Sequence, residues 1–257
     1  MKNTIILALT TGLIALTKIS GVIIAVPILY IFIDKFWKDF FNEKNRKMII
    51  KKYALECIVF GIIAIGIGLS YSIRNLLLFN QSIFYVPKAG QVVYRGDRSF
   101  WDRFNLFSKE WLKVFAYPKE DCNIWSYLIK SSLFGEYHLE SINVISVAML
   151  ISNIVIIVAS LLCLGKLISG KKQTMEIKMI IVFYFTQILM FIYSNITMPY
   201  ACTMDFRYIV PTILFGMIFI VEGIKGTKCE KIVSCMTYLF AILSVIFELM
   251  YMQNLSV

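Results

Sequence analysis

The run INVISVAMLISNIVIIVASLLCL, from Ile142 to Leu164, contains no charged side chain. A helix that crosses the hydrocarbon core of a bilayer needs about 20 mostly apolar residues. This run therefore predicts a membrane-spanning helix, and similar apolar runs recur on both sides of it. The runs lie at 4–17, 19–33, 53–73, 142–164, 179–197, 208–224 and 232–252.

The composition agrees with this pattern, because 59% of the 257 residues are hydrophobic and only 16% are charged. A soluble domain carries about 25% charged residues. We therefore predict an all-α fold, a polytopic membrane helix bundle with about six or seven membrane segments. The whole chain, 1–257, is expected to form a single membrane domain with one long outer loop at 74–141.

The first two apolar runs are each short and are interrupted at Thr17–Gly21. Together they would make one straight helix that is too long for the hydrocarbon core. We favour a tight hairpin of two short helices that turns at Lys18–Gly21. One long tilted helix is the alternative.

Basic residues concentrate in three short loops, which predicts the orientation. Asp34–Lys52 holds seven Lys/Arg against three acids, and Lys166–Lys178 and Lys225–Lys231 are also rich in lysine. Cytoplasmic loops carry such an excess. The outer face would then hold Lys18, the loop 74–141 and the loop 198–207. The net charge of +10 thus reflects membrane topology, and we expect no nucleic-acid partner.

The outer loop is rich in aromatic residues and is expected to contain short interfacial helices. Phe100–Phe115 has helix-like spacing that would place Trp101, Phe104, Trp111 and Leu112 on one face together with Phe115. Such a helix would lie on the bilayer surface, where aromatic rings are favoured. Covering the membrane and forming the wall of a substrate cavity are both compatible with this pattern.

Three polar clusters are predicted near the outer leaflet: Lys18, Arg74 with Asn75, and Asp205 with Arg207. Charge at that depth is costly and is usually kept for a partner or a ligand. Cations there suit a lipid-linked phosphate, which Arg binds through two parallel hydrogen bonds and Lys binds as a point charge. The alternatives are that Lys18 and Arg74 snorkel to the interface and that Asp205 and Arg207 simply pair.

The cysteines and the single histidine, His138, give no clustered ligands, so we predict neither a metal site nor a cofactor. Cys122 and Cys202 both fall in predicted outer segments. A disulfide between them is left open.

Several short motifs in order resemble the membrane glycosyltransferases of the GT-C class. They are Gly12-Leu-Ile-Ala-Leu-Thr-Lys-Ile-Ser-Gly21, a helix with Pro27, Arg74-Asn75, Tyr85-Val-Pro87, Ser131-Ser-Leu-Phe-Gly-Glu136 and Asp205-Phe-Arg-Tyr-Ile-Val-Pro211. This class includes protein O-mannosyltransferases, bacterial family 39 enzymes and the aminoarabinose transferases that modify lipid A. The resemblance covers nearly the whole chain, which is similar to the C-terminal half of such an enzyme.

The resemblance implies transfer of a sugar from a polyprenyl-phosphate donor at the outer face of the membrane. Lys18, Arg74 and Arg207 would bind the donor phosphate, and Asp205 would orient Arg207 or touch the sugar. Enzymes of this class carry a catalytic acid in an early outer loop, whereas no Asp or Glu precedes Asp34 here. We therefore assign no catalytic residue and expect a partial enzyme, inactive without a missing N-terminal half.

Two other functions fit the same features. A transporter or flippase of a lipid-linked polar substrate would also place cations near the outer leaflet, and a non-catalytic subunit would pair with a separate partner. The expected location is the cell membrane, specifically a bacterial plasma membrane. The sequence does not identify the sugar, and it leaves three classes of acceptor open: a protein, a wall polymer or a lipid.

Overall fold

The computed structural model describes residues 1–17, 19–83, 93–135, 137–138, 140–170, 173–227 and 229–255. Within these ranges the chain forms ten α-helices and no β-strand, with one isolated bridge between Tyr94 and Tyr200. The predicted all-α fold is confirmed. The chain divides into two compact units, one of 1–88 with 175–186 and one of 89–174 with 187–257.

Unit 1 contains four helices and the first part of a fifth. They are α1 (Lys2–Thr17), α2 (Ala25–Asn42), α3 (Arg46–Gly68), α4 (Ser70–Phe79) and residues 175–186 of α8 (Met175–Thr197). Helices α1 and α3 pack through small residues. A Cβ atom added at Gly12 would lie 2.9 Å from Ile67 Cβ, and one at Gly68 would lie 2.9 Å from Ala15 Cβ. Small residues allow such close approach between apolar helices.

Helices α1 and α3 run in the same direction. The amino group of Met1, at the beginning of α1, lies 3.5 Å from the carboxylate of Glu56 in the middle of α3. Ala15 and Gly68 meet near the C-terminal ends of the two helices. The two helices are therefore parallel neighbours.

Helix α2 runs opposite to α3. The hydroxyl of Tyr53 donates to the carboxylate of Asp39 at 2.8 Å, and the rings of Phe32 and Phe60 lie 6.3 Å apart. Because α1 is parallel to α3 and α2 is antiparallel, the chain reverses between α1 and α2. The hairpin interpretation requires this reversal.

The apolar run 53–73 does not form a single straight helix. Helix α3 ends at Gly68, and α4 begins at Ser70 with its axis bent by 53°. Glycine and serine weaken a helix at this point, and the Ser70 hydroxyl bonds to the carbonyl of Ile67 at 2.7 Å. Arg74 therefore lies within α4 and not at the end of a spanning helix. Helix α4 itself ends at Phe79, and Asn80, with a φ of 51°, forms a left-handed C-terminal cap.

Three helices among the described residues are long and apolar enough to cross a membrane: α7 (Asn143–Ser169), α8 and α10 (Cys229–Leu255). The bent pair α3 and α4 adds a fourth if it counts as one span, and α1 and α9 (Pro211–Ile224) are shorter apolar helices. By the length and composition of these helices, the chain is a membrane protein. Helix α9 begins later than the predicted 208 because proline, which lacks an N–H, occupies its first position.

Unit 2 contains α7, α9, α10 and a folded segment that corresponds to most of the predicted outer loop. The helix predicted over Phe100–Phe115 is wrong in extent. Only α5 (Phe100–Phe104) and a 3-10 turn at Lys109–Leu112 form, and each is started by a serine cap. Leu112 is 85% exposed and Phe115 is 3% exposed, so the predicted common face does not exist.

The longest helix of this segment, α6 (Ile124–Phe134), was not predicted. Asn123 caps it, since its side-chain oxygen accepts a hydrogen bond from Ser126 N at 3.0 Å. The core of the segment gathers buried side chains from α6, from α8 and from the turns before α9. They include Ile124, Leu128, Phe191, Met204 and Ile209.

Candidate functional site

The stretch Asp205–Tyr208 forms a capped turn immediately before α9. The Asp205 carboxylate accepts a hydrogen bond from the backbone N–H of Arg207 at 2.8 Å and so begins a 3-10 turn over Phe206–Tyr208. Aspartate is favoured in this capping role because it satisfies an otherwise unpaired N–H. Asp205 therefore has a structural function that is independent of any ligand.

The turn is anchored to α6 and to the core. The Ser131 hydroxyl accepts a hydrogen bond from Phe206 N at 3.0 Å. Met204 and Ile209, on either side of the turn, are both buried. The backbone that carries Arg207 is thus fixed by contacts on both sides. The sequence motif around Ser131 and the motif around Asp205 contact each other here.

The side chain of Arg207 is only loosely paired. Its Nε lies 4.0 Å from the Asp205 carboxylate, and 55% of the Arg207 side chain is exposed against 14% for Asp205. The guanidinium lies 5.4 Å from the centre of the Tyr208 ring. Exposed pairs at this distance contribute little, so the guanidinium keeps donors for an anion. Burial opposes the charged form, but Asp205 and Tyr208 outweigh it and raise the pKa of Arg207.

Arg74 is exposed on α4 in unit 1. Its guanidinium contacts the Asn75 side-chain oxygen at 3.5 Å and lies 5.9 Å from the centre of the Phe79 ring. No carboxylate of a described residue lies within 4.0 Å of it, the limit for an ion pair. Lys18 lies outside the described residues. The expectation that Lys18, Arg74 and the Asp205–Arg207 pair share one site stays a prediction.

A buried ionic network in unit 2 was missed by the sequence analysis. The Lys130 ammonium is fully buried on α6, 3.5 Å from the carboxylate of Asp121, which is 1% exposed. It also donates to the backbone carbonyl of Glu110 at 2.5 Å. The Glu110 carboxylate in turn accepts from Cys122 N at 3.0 Å and from Asn123 N at 2.9 Å. These contacts join the 3-10 turn at Lys109–Leu112 to the beginning of α6.

Burial removes the charged groups of Asp121 and Lys130 from water, which is electrostatically unfavourable. Burial raises the pKa of Asp121 despite the opposing effect of Lys130, and burial lowers the pKa of Lys130 despite Asp121. One oxygen of Asp121 accepts from Tyr117 N at 3.1 Å, and the other has no hydrogen-bond partner among the described residues. Removing either partner of such a buried pair would leave the other charge uncompensated and would destabilise the fold.

Two buried arginines tie the same segment to the end of α8. The Arg95 guanidinium donates to the backbone carbonyls of Asp121 at 2.8 Å and Pro118 at 2.7 Å, and Arg95 N donates to Pro199 O at 2.6 Å. The Arg103 guanidinium donates to the carbonyl of Asn195, which α8 carries. The network therefore organises the segment that surrounds the Arg207 turn.

Only part of this network could be predicted from local patterns in the sequence. Asn123 directly before an apolar run is a helix-start signal, and it would have revealed α6. Asp121 and Lys130 are nine positions apart, and no local periodicity relates a loop residue to a helix residue at that spacing. Their pairing depends on the tertiary fold.

In the part of the chain that the structure describes, no group of three His, Cys, Asp or Glu side chains could hold a metal ion. Cys122 and Cys202 are both free thiols. The disulfide that the sequence left open is therefore not formed.

Comparisons with family models, with curated proteins and with solved structures find no match to this chain. The functional interpretation therefore rests on the residues and on their geometry.

Proposed function

We propose that this chain binds the phosphate of a polyprenyl-phosphate-linked sugar at the outer face of a bacterial plasma membrane, as the donor-binding part of a GT-C class glycosyltransferase. The observation that carries the proposal is the presentation of Arg207. The turn that carries it is held by Asp205 and Ser131, while the Arg207 side chain is 55% exposed and its ion pair with Asp205 is 4.0 Å long.

The chemistry of glycosyl transfer suits a group of this kind. The bond between the sugar carbon and the phosphate oxygen breaks, the acceptor oxygen bonds to that carbon, and negative charge grows on the departing phosphate. A guanidinium stabilises this charge with two parallel hydrogen bonds. The base that removes the acceptor's proton is assigned to no residue described here.

Arg74 and Lys18 are proposed, from the sequence resemblance, as further cations that bind a donor phosphate. Arg74 supports this role by its exposure and by the absence of an acidic partner among the described residues. The positive-inside rule predicts the outer side of the membrane for both residues. Nothing in the proposal requires Asp205 to act as a base, because its carboxylate already caps the turn.

Binding measurements on the purified chain in lipid nanodiscs test the proposal, with polyprenyl phosphate as the probe and the phosphate-free polyprenol as its control. Replacing Arg207 with alanine should weaken binding by about tenfold or more, since charge-assisted hydrogen bonds contribute about 1.5–3 kcal/mol. Arg207→Lys should retain part of the affinity, because the charge remains without the bidentate geometry.

Arg98→Ala is the matched control, because Arg98 is an exposed arginine of the same unit outside the turn. Its affinity for polyprenyl phosphate should equal that of the wild type. Equal affinities for wild type, Arg207→Ala and Arg98→Ala would refute the phosphate role.

A flippase of a lipid-linked polar substrate is the second candidate, and the 53° bend between α3 and α4 favours it. Broken helices near a substrate path are frequent in transporters. Proteoliposomes with a fluorescent polyprenyl phosphate distinguish the two. Movement of the probe between leaflets that requires this chain supports the flippase, whereas binding without movement supports the donor site.

A further inference from the structure

Four large apolar side chains are exposed on the segment that runs from α5 to the end of the 3-10 turn at Lys109–Leu112. Trp101, Leu106, Phe107 and Leu112 are each more than 60% exposed, and Phe107 reaches 91%. In a chain with membrane-spanning helices, exposed apolar and aromatic groups on a loop segment are suited to contact with lipid. The segment also contains Lys109, whose side chain is exposed in the same turn.

Four backbone carbonyls of this irregular segment accept hydrogen bonds from side chains of the protein. Phe104 O accepts from the Trp125 indole at 2.9 Å, Asn105 O from Asn123 at 2.6 Å and Leu106 O from the Trp111 indole at 3.0 Å; Glu110 O accepts from Lys130 at 2.5 Å. Unsatisfied backbone groups are costly in a bilayer. These four carbonyls therefore need no water as a hydrogen-bond partner, which lowers the cost of placing them in an apolar medium.

The same segment forms one wall of an apolar groove of about 670 Å³. Its floor is the surface of α7 around Ile151 and Ile154, and its walls include Leu106, Leu112 and Ile129. Helix α7 is long and apolar enough to span a membrane. The groove is therefore continuous with a helix surface that hydrocarbon chains would cover.

We propose that this groove binds one acyl chain of a bilayer phospholipid, and that residues 101–112 lie within the adjoining leaflet. Aromatic and aliphatic side chains would enter the acyl region, as in monotopic interfacial segments. Lys109 would meet the phospholipid phosphate, because a lysine on an apolar rim can reach the headgroup layer. This inference does not depend on the binding of a sugar donor.

A photoreactive phospholipid tests the proposal on the wild-type chain reconstituted in phosphatidylcholine and phosphatidylglycerol vesicles. The probe carries a diazirine within one acyl chain, and mass spectrometry locates the residues that it labels. We expect label on Phe107, on Leu112 and on Ile154. Asp97 and Arg98, polar residues of the same unit, should remain unlabelled. A segment 101–112 without label, beside labelled α7 and α10, would overturn the proposal.

A matched pair of variants tests the groove itself. Ile151→Trp fills the floor and should abolish label on Leu106 and Leu112 while label on α10 persists. Val144→Trp adds the same ring at an exposed position of α7 outside the groove and should leave the label unchanged. Retention of the label in Ile151→Trp would exclude the groove as the binding site. The wild-type labelling map decides the proposal even if Ile151→Trp fails to fold.

Competition identifies the occupant. Excess unlabelled phospholipid should displace the probe, and polyprenyl phosphate at the same concentration should not. Selective displacement by polyprenyl phosphate would overturn the assignment to phospholipid and would link the groove to the donor instead.

Discussion

The hydroxyl of Ser131 accepts a hydrogen bond from the backbone N–H of Phe206 at 3.0 Å, across 75 positions of sequence. The same hydroxyl donates to the carbonyl of Leu128 within α6 at 3.1 Å. One small side chain thus connects the helix to the turn that presents Arg207. Neither residue is charged, so the link would escape a search for ionic groups.

Replacing Ser131 with alanine should loosen this turn. Phe206 N loses its partner; a fully buried unsatisfied donor costs about 1–3 kcal/mol, and this one is partly buried, so we expect about 1 kcal/mol. We expect a lower free energy of unfolding by that amount and weaker binding of polyprenyl phosphate, because Arg207 would be less well positioned. Denaturation in mixed micelles and the nanodisc binding measurement report the two effects.

Ser169→Ala is the control for this change, since the exposed Ser169 hydroxyl bonds only within its own helix to Gly165 O at 2.9 Å. Its stability and binding should match the wild type. If Ser131→Ala and Ser169→Ala behave alike, the link through Phe206 N has no energetic role.

Hydropathy predicted the long apolar helices well because a bilayer imposes its thickness on each segment. Helices α7, α8 and α10 all cover the runs expected for them. The break at Leu69 was not anticipated, since the apolar run continues through it. A run of apolar residues reports burial in lipid but not whether a helix bends within it.

The folded segment of unit 2 was harder to predict because its order comes from long-range polar contacts. Helical spacing suggested one face for Trp101, Leu112 and Phe115, yet Ser108 begins a separate turn and sends Phe115 into the core. Of the candidate site, the sequence predicted Asp205 and Arg207 as a polar pair directly before an apolar segment, and the structure shows a capped turn there. The sequence could not reveal that Ser131 anchors them.

The buried pair of Asp121 and Lys130 should show strong coupling. Lys130→Met or Asp121→Asn alone leaves an uncompensated buried group and should lower the free energy of unfolding by about 3–5 kcal/mol. The double variant should lose clearly less than the sum of the two. A double-mutant cycle from denaturant titrations measures this coupling.

The control for that cycle is the exposed pair of Lys113 and Glu120, whose charged atoms lie 2.6 Å apart at the surface. Substitutions there should have small effects, because solvent screens exposed pairs. Additive losses for Asp121 and Lys130 would show that the two buried charges act independently, contrary to the geometry.

The thiol of Cys122 should react slowly in the folded protein. Burial, together with the hydrogen bond that its Sγ donates to Glu110 at 2.9 Å, raises the pKa of Cys122 to about 12. A free thiol titrates near pH 8.5, and the thiolate is the reactive form. Alkylation of Cys122 at pH 8 should therefore be slower by about three orders of magnitude than in the unfolded chain.

The sign of the pH dependence follows from the raised pKa. The folded state favours the neutral thiol, so this contribution to stability is complete below the unfolded pKa and is lost as the pH rises toward 12. Mass spectrometry of alkylation between pH 8 and pH 10 should show a rate that keeps rising. Glu110→Gln should accelerate it, because it removes the negative charge beside the sulfur. A plateau near pH 8.5 in the folded wild type would contradict the assignment.

A methyl group added at Gly223 should destabilise the contact between α7 and α9, whereas a methyl group added at Gly165 should not. A Cβ atom at Gly223 would lie 2.6 Å from Cys163 Cβ and 3.1 Å from Cys163 Cα, and this backbone cannot move aside easily. Gly223→Ala should therefore lower the free energy of unfolding by about 1–3 kcal/mol. Nothing lies within 4 Å of a Cβ at Gly165, so Gly165→Ala should stabilise the helix by about 0.5–1 kcal/mol.

Moving the small residue to the other helix tests whether steric contact is the cause. Cys163→Gly combined with Gly223→Ala restores space for the methyl group, so the double variant should recover stability relative to the sum of the two single changes. Thermal unfolding in detergent compares all four proteins. Strict additivity, or equal effects of alanine at Gly165 and Gly223, would mean that α7 and α9 do not pack through these positions in the membrane.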